Sequence, residues 1–344
     1  MSKIKVILFS MIIVFGSTMS LRHGSAQEPP LLMDVKIRSE VRFDPQTETY
    51  AYSYAISNSP TSTGQIRSFG IDLVKPANSK DLSAAGFLIE KGLNFQGAMI
   101  RLSYIEEVAR LGPLLERPLI PVGARVPSRW SSSISMQGTI TWGAKEKAAL
   151  IGPGQSLVGF EIISHGLPGM RVYEVKPDFV LSVEGFATKE DIEKSKAIKD
   201  QITFHGKTIG PTAPPAQFVA LDLLSYLIDL KHQAQTLGWI GGPKFVAELE
   251  KKLNQVKEKL QANNIPSARG KLKSFINKVE AQFKETKEHE EEKVKSPAKG
   301  KEREEKKFIT SEGYGLLKFN AMYLRDQLGS GEKPEEEKDT EKDE

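Results

Sequence analysis

The apolar residues of this chain change their period partway along. From Met33 to about Phe186 they recur at every second position, and from Ala216 onward at every third or fourth. A period of two belongs to strands with one buried face, a period near 3.6 to helices with one buried stripe. A chain that carries the two patterns in succession is constrained to an α+β arrangement, strands first and helices after. In DVKIRSEVRF, Val35, Ile37, Val41 and Phe43 oppose Lys36, Arg38, Glu40 and Arg42. In ETYAYSYAISN, Tyr50, Tyr52, Tyr54 and Ile56 alternate with Ala51, Ser53, Ala55 and Ser57. ISMQGTITW repeats the pattern, with Ile134, Met136, Ile140 and Trp142 on one face. Further strands are expected at IRSFGIDLV (66–74), SLVGFEIIS (156–164) and RVYEV (171–175).

Turn clusters punctuate these runs at Asn58-Ser59-Pro60, Gly152-Pro153-Gly154 and Gly166-Leu167-Pro168-Gly169. Short alternating strands between turns predict an antiparallel β-sandwich of immunoglobulin-like type over residues 27–186. The Cys–Trp–Cys pattern of antibody domains does not occur, because the chain has no cysteine. The Pro-rich stretch 100–133 reads as a long loop with a short helix near Tyr104–Leu111. Residues 187–215 read as a charged, Pro-rich linker: TKEDIEKSKAIKDQ as a short helix, then KTIGPTAPP as a stiff connector whose prolines disfavour both helix and sheet.

Four helices are expected over 216–329. The first runs from about Ala216 to Leu237 and stops at Gly238. The second aligns Phe245, Leu249, Leu253, Val256 and Leu260 on one stripe, the third Ala268, Leu272, Phe275, Ile276, Val279 and Phe283. Asn264 and Pro266 signal the start of the third, a cap oxygen for free N–H groups and a ring that pre-sets the first turn. The fourth, from about Ser311 to Leu328, would bury Leu316, Phe319, Met322 and Tyr323. Stripes this wide need partners, so an antiparallel four-helix bundle is expected. The segment 284–307 is too charged to form a core and reads as a disordered insert whose first part extends the third helix; 330–344 reads as a disordered acidic tail.

The first 26 residues read as a secretory signal. Lys3 and Lys5 precede an apolar run from Ile4 to Phe15, and Gly24 and Ala26 occupy the −3 and −1 positions of a cleavage site. The run is shorter than the roughly 20 residues that a permanent span needs. Removing Lys3, Lys5 and Arg22 from the 48 basic residues leaves 45 against 44 acidic ones, so the formal charge of +4 falls to near neutrality. A nucleic-acid partner loses its main support. Without cysteine there are no disulfides, thiolate metal sites, cysteine nucleophiles or lipid-modified N-terminal cysteine.

LLSYLIDLKHQAQTLGWI, FVAELEKKLNQVKEKLQANNIPSARGKLKSFINKVEAQ and ITSEGYGLLKFNAMYLRDQL, falling in that order between Leu224 and Leu328, resemble the FIMAH domain of bacterial extracellular proteins. The echoes are the leucine–asparagine second helix, the SFINKVEAQ core of the third, and the IT-x-E-x-x-x-L-L start of the fourth. The resemblance covers about the last third of the chain. It implies an accessory module appended to secreted enzymes or surface proteins, and it carries over no catalytic residues. Two departures stand out: the insert 284–307 replaces a short connection, and Ile265 stands where a cysteine is common. The β-rich part is only generally similar to bacterial immunoglobulin-like domains.

Few constellations carry chemistry. No two of His165, His205, His232 and His289 stand at ligand spacing in the sequence, so no metal and no cofactor is expected. GPGQSLVGF is similar to a nucleophile elbow around Ser156, but Val158 stands where the motif needs glycine. The strand acids Glu40, Glu48, Glu161 and Glu174 show no sign of pairing and read as solvated. Aromatic residues are more suggestive. Tyr50, Tyr52 and Tyr54 on one strand face, with Trp130 in the loop VPSRWSSS, could stack on sugar rings. The same alternation equally suits the inner face of a sandwich. Trp142 and Trp239 read as packing residues. Together these readings anticipate an exported, non-catalytic protein that binds a protein or glycan, takes no nucleic acid and keeps no permanent membrane anchor. The alternative is a secreted hydrolase or carbohydrate-binding accessory protein using the sandwich loops.

Overall fold

The computed structural model describes residues 29–76, 99–100, 121–135, 138–179, 188–215, 218–295 and 307–329. The expected signal segment, the helix near 104–111 and the acidic tail lie outside these residues. The chain is a mixed α+β protein with antiparallel sheets and, among the described residues, five α-helices. One sheet has the order β1-β2-β8-β5, from Lys36–Asp44, Thr49–Ser57, Ser156–Ser164 and Gly123–Arg125. The other has the order β10-β9-β3-β7-β6-β4, from Phe204–Thr212, Leu167–Pro177, Ile66–Pro76, Thr139–Ala144, Trp130–Ser135 and Met99–Ile100. A short pair joins β11 (Ile240–Gly241) to β12 (Phe308–Ile309).

The period-two residues put one face of each large sheet against the other. The Tyr54 ring lies 5.8 Å from Phe69 of β3 and 6.0 Å from Trp142 of β7, while Phe69 stacks on Trp142 at 5.2 Å. Phe160 of β8 meets Phe69 and Trp142 edge-on, each at 5.8 Å. Each such pair adds about 0.5–1.5 kcal/mol beyond area burial.

Several elements depart from expectation. ISMQGTITW is a hairpin rather than one strand: Ile134 pairs with Ile140, and Gly138 turns the chain at φ 78°. Trp130 opens β6 and is not a loop residue. Leu167–Gly169 begin β9 instead of turning. The expected linker 187–215 is α1 (Lys189–Ile202) followed by β10, a full strand paired with β9 from Phe204 to Thr212. Proline is tolerated there because β10 is an edge strand, whose outer side needs no N–H. As expected, by contrast, the charged insert is helical in its first part, the third helix of the C-terminal region continuing to Lys295. Thr286 within it accepts the Ile309 amide at 3.2 Å, so this part supports the entry to the last helix.

The remaining helices are α2 (Ala220–Thr236), α3 (Pro243–Gln261), α4 (Ile265–Lys295) and α5 (Ser311–Gln327). The stripes read from the sequence are buried except at Phe283, Met322 and Tyr323, which are half-buried, and Asn264 caps α4 by accepting the Ser267 amide at 3.1 Å. In sequence order each helix packs on the next, and α5 closes the circuit on α2. Lys231 of α2, buried, is paired to Glu250 of α3. α5 also packs on β1, β9 and β10, so the apolar core is continuous across sheets and helices rather than split in two.

That docking depends on small and polar residues at the start of α5. Any Cβ on Gly315 would lie 3.1 Å from Val41 Cγ2, and one on Gly313 would lie 2.8 Å from the Trp239 carbonyl oxygen. Buried Glu312 accepts the Ser39 amide of β1 at 2.7 Å, and Asn320 Nδ2 donates to the Pro168 carbonyl at 2.7 Å. Removing the carboxylate leaves a buried N–H unsatisfied, at about 1–3 kcal/mol. Glu312→Ala should therefore lower global stability by that amount in denaturant melts, whereas Glu312→Gln, which keeps an acceptor, should lose less. Because one core spans both layers, the variant's calorimetric transition should stay single; a split into two transitions would contradict the shared core.

Candidate functional site

The four residues proposed from sequence as a ligand platform are core residues. Relative exposure is 8% for Tyr50, 0% for Tyr52, 2% for Tyr54 and 1% for Trp130, which leaves no ring face for a sugar. Their polar atoms are used internally. Tyr52 Oη donates to the Gly166 carbonyl at 2.6 Å, Tyr54 Oη to the Ile209 carbonyl at 3.0 Å, and Trp130 Nε1 to the Ala149 carbonyl at 3.0 Å. These bonds tie corners and edges of the two sheets together, the usual demand of a buried phenol or indole. Beside Tyr52 and Tyr54 lies Arg171, also buried, whose Nε donates to the Pro211 carbonyl at 2.7 Å. Desolvation lowers the Arg171 pKa, while Tyr226, Asp72, Tyr52 and Tyr54 act in the opposite sense.

The other sequence candidates are not assembled either. Ser156 is exposed at the start of β8 and donates to the Ser57 hydroxyl at 2.7 Å. Strand register does align Glu40, Ser53 and Glu161 abreast on the outer face of the first sheet. Two strand spacings put these acids roughly 10 Å apart at the backbone. Each is engaged by a cation: Glu161 is held by Arg125 at 3.2 Å, and Glu40 faces Lys287 at 4.0 Å. Glu174 pairs with Lys176 at 2.6 Å. Among the described residues no three His, Cys, Asp or Glu side chains could hold a metal ion together.

A different site stands out at the seam between sheet and helices. A groove of about 590 Å³ runs between β1 on one side and α4 and α5 on the other, lined by Glu40–Phe43, Pro45, Phe283, Lys287, Ser311, Tyr314, Lys318, Phe319 and Met322. Its wall is a run of rings: Phe283 stacks on Tyr314 at 4.1 Å, Tyr314 meets Phe319 edge-on at 6.4 Å, and Phe319 lies 6.5 Å from Phe43. Phe43 and Tyr314 are half-buried, with part of each side chain left to solvent. Two lysines cover ring faces. Lys287 Nζ sits 4.8 Å from the Phe283 centroid, and Lys318 Nζ sits 5.0 Å from Tyr314 and 5.4 Å from Phe319. Such contacts favour the cation once it is partly desolvated. Desolvation alone would lower the Lys318 pKa, but bonds to Glu280 and Tyr314 outweigh it and hold the ammonium charged.

A second depression of about 660 Å³ lies under α1, between Asp191, Ser195 and Lys199 of the helix and Glu174 and His205 of the sheet. Ile192 is the one apolar side chain among its described lining residues, so it offers little to a ligand beyond charges that already face each other. The aromatic seam combines apolar wall and polar rim, as binding sites do. Sequence reasoning read Phe283, Phe319 and Met322 as core and missed Tyr314, Lys287 and Lys318. A usable signal existed: Phe283–Lys287 and Tyr314–Lys318 are both aromatic–lysine pairs four residues apart, which share a helix face.

No protein-family model, no curated protein and no solved structure matches the chain.

Burial of the tyrosines makes a pH prediction. Desolvation pushes Tyr50 and Tyr173 up to about 12 from the usual 10, with the charges of Asp326 and Tyr323 adding to Tyr50, and it pushes Tyr52 and Tyr54 higher still. The folded state thus keeps protons that the unfolded chain has released. Stability should be unaffected below about pH 10 and fall above it, each tyrosine contributing up to about 1.4 kcal/mol per pH unit until its folded pKa is reached. Phenolate absorbance followed against pH should show these four rings ionising only as the fold is lost.

Proposed function

We propose that this chain is an exported, non-catalytic binding protein of the bacterial envelope or exterior, and that its ligand, a protein or a glycan, is held in the aromatic seam beside β1. The seam is the observation that carries this reading: half-exposed rings, a polar rim and a volume within the usual range for ligand sites of roughly 300–1,000 Å³. The charged, apolar and small-residue order of the first 26 residues supports export. Resemblance of the last third to the FIMAH module supports an accessory rather than a catalytic role. In this reading the two sheets form an immunoglobulin-like sandwich and α2–α5 a four-helix bundle, and the ligand is taken where the two meet rather than at the sandwich loops. No nucleic acid, cofactor or permanent anchor belongs to it.

The test uses the chain from Gln27 onward on a glycan array and against a peptide library. Tyr314→Ala and Lys318→Ala should weaken any ligand found by roughly tenfold or more, since truncating an anchor residue costs above about 1–2 kcal/mol. Circular dichroism should confirm an unchanged fold. A ligand bound equally well by both variants would move the site elsewhere, and hydrolysis of an array member by the wild-type chain would overturn the non-catalytic reading.

A further inference from the structure

The seam is bounded on one side by a strand edge, and that edge points to the kind of ligand it takes. Among the described residues β1 is the terminal strand of its sheet and pairs only with β2. The Ser39 amide donates to Glu312 of α5, so it faces away from β2. In an antiparallel ladder the backbone groups of alternate residues face alternate sides, so the N–H and C=O groups of Val41 and Phe43 face the same outer way as those of Ser39. At Ser39 the edge is closed, by the Glu312 carboxylate and by the Thr208 hydroxyl of β10, which donates to Ser39 Oγ at 3.1 Å. Beyond Ser39 the groove opens, with Glu40–Phe43 and Pro45 as its strand wall.

Resting on the reading of this seam as the binding site, we propose that its occupant is an extended acidic peptide segment of a partner protein, which adds to the outer edge of β1 at Val41 and Phe43. Three features of the site converge on that chemistry. The strand edge offers backbone donors and acceptors at a two-residue repeat, which a peptide in extended form matches and a sugar does not. The facing wall of Tyr314, Phe319 and Met322 receives every second side chain of an added strand, because successive side chains point to opposite faces. Finally, Lys287 faces Glu40 at 4.0 Å and Lys318 is bonded to Glu280 at 2.7 Å, which leaves Arg42 as the rim cation complementary to Asp or Glu on the partner. Arg42 is exposed and makes no ion pair among the described residues. Glu312 already displays the recognition internally: a carboxylate accepting an edge amide of β1, two residues before the open positions.

The experiment measures binding of fluorescent ten-residue peptides to the chain from Gln27 onward by anisotropy. The probes alternate valine with glutamate, valine with lysine, or valine with serine, and a glycan array is run in parallel. The glutamate peptide should bind, weaken with added salt, and outcompete the lysine peptide by at least tenfold. N-methylation of alternate amides, in the register that faces β1, should reduce its affinity roughly three- to tenfold per blocked group, while methylation in the other register changes little. Amide exchange at Val41 and Phe43 should slow on binding. Arg42→Glu, a change at an exposed side chain that should leave the fold intact, should cost a further tenfold. Equal binding by both methylation registers, or no loss in Arg42→Glu, overturns strand addition. A glycan that binds and is lost in Tyr314→Ala, with no peptide bound, overturns the peptide inference and leaves the seam as the site. Failure of every probe, peptide and glycan alike, counts against both.

Discussion

The architecture turns on one buried hydrogen bond. Glu312 and Ser39 are 273 residues apart, and their contact closes the outer edge of the first strand with the first turn of the last helix. A strand edge that faces a protein interior must have its amides satisfied, or each costs about as much as a lost hydrogen bond. Here the acceptor comes from a side chain, because a helix cannot continue a β-ladder. The helix must also come very close to the strand for that carboxylate to reach. Glycines at 313 and 315 allow this, one against the Trp239 carbonyl and the other against Val41. Cap residue Thr310, acceptor Glu312 and the two glycines are therefore one device for seating a helix in the gap between the edges of two sheets.

Much of this was legible in the sequence, for a physical reason. Strand and helix stripes are local, so alternation found β1, β2 and β8, and four-three spacing found α3 to within a few residues. What failed was whatever depends on the neighbour across the fold. Pro211, Pro214 and Pro215 look like linker residues until the position of β10 is known: on a sheet edge, the missing N–H of Pro211 has no strand to serve. Similarly, alternation placed Tyr50, Tyr52 and Tyr54 on one face but could not say whether that face met water or the second sheet. The opposing rings of Phe69 and Trp142 decide it. Two separate cores were expected because the periodicities are separate in sequence. Helix α5 removes the division: Leu316, Leu317 and Leu324 are buried in the common core, and Phe319 joins the tyrosine layer.

The candidate site was less legible still, because no single segment contains it. Phe43 belongs to a strand, Phe283 and Lys287 to the extension of α4, and Tyr314 and Lys318 to α5. Each helix showed an aromatic residue followed four positions later by lysine, which in isolation describes any amphipathic helix with a charged shoulder. The charged stretch after Phe283 reads as an insert whose first part extends the third helix, and nothing in it marks a site. Its first turn places Lys287 over the Phe283 ring and opposite Glu40, so it forms one lip of the groove.

Edge satisfaction and site formation are then two consequences of the same geometry. An exposed strand edge invites unwanted pairing, and proteins commonly shield it with charge or cover it with another element. β1 uses both: Glu312 covers it at Ser39, and Lys36, Arg38, Glu40 and Arg42 flank it. Helix α5 runs on past Ser39, with Gly315 against Val41 and Phe319 near Phe43, but only Glu312 among these supplies a side-chain acceptor to the edge amides. A glycine admits the helix backbone and brings no polar atom, while a phenylalanine fills space without satisfying a donor. The two residues that make the close packing possible at Val41 and Phe43 therefore leave those strand amides for another acceptor. A groove walled by aromatic rings and open along a strand edge is the result, and its position follows from where the helix has a carboxylate and where it does not.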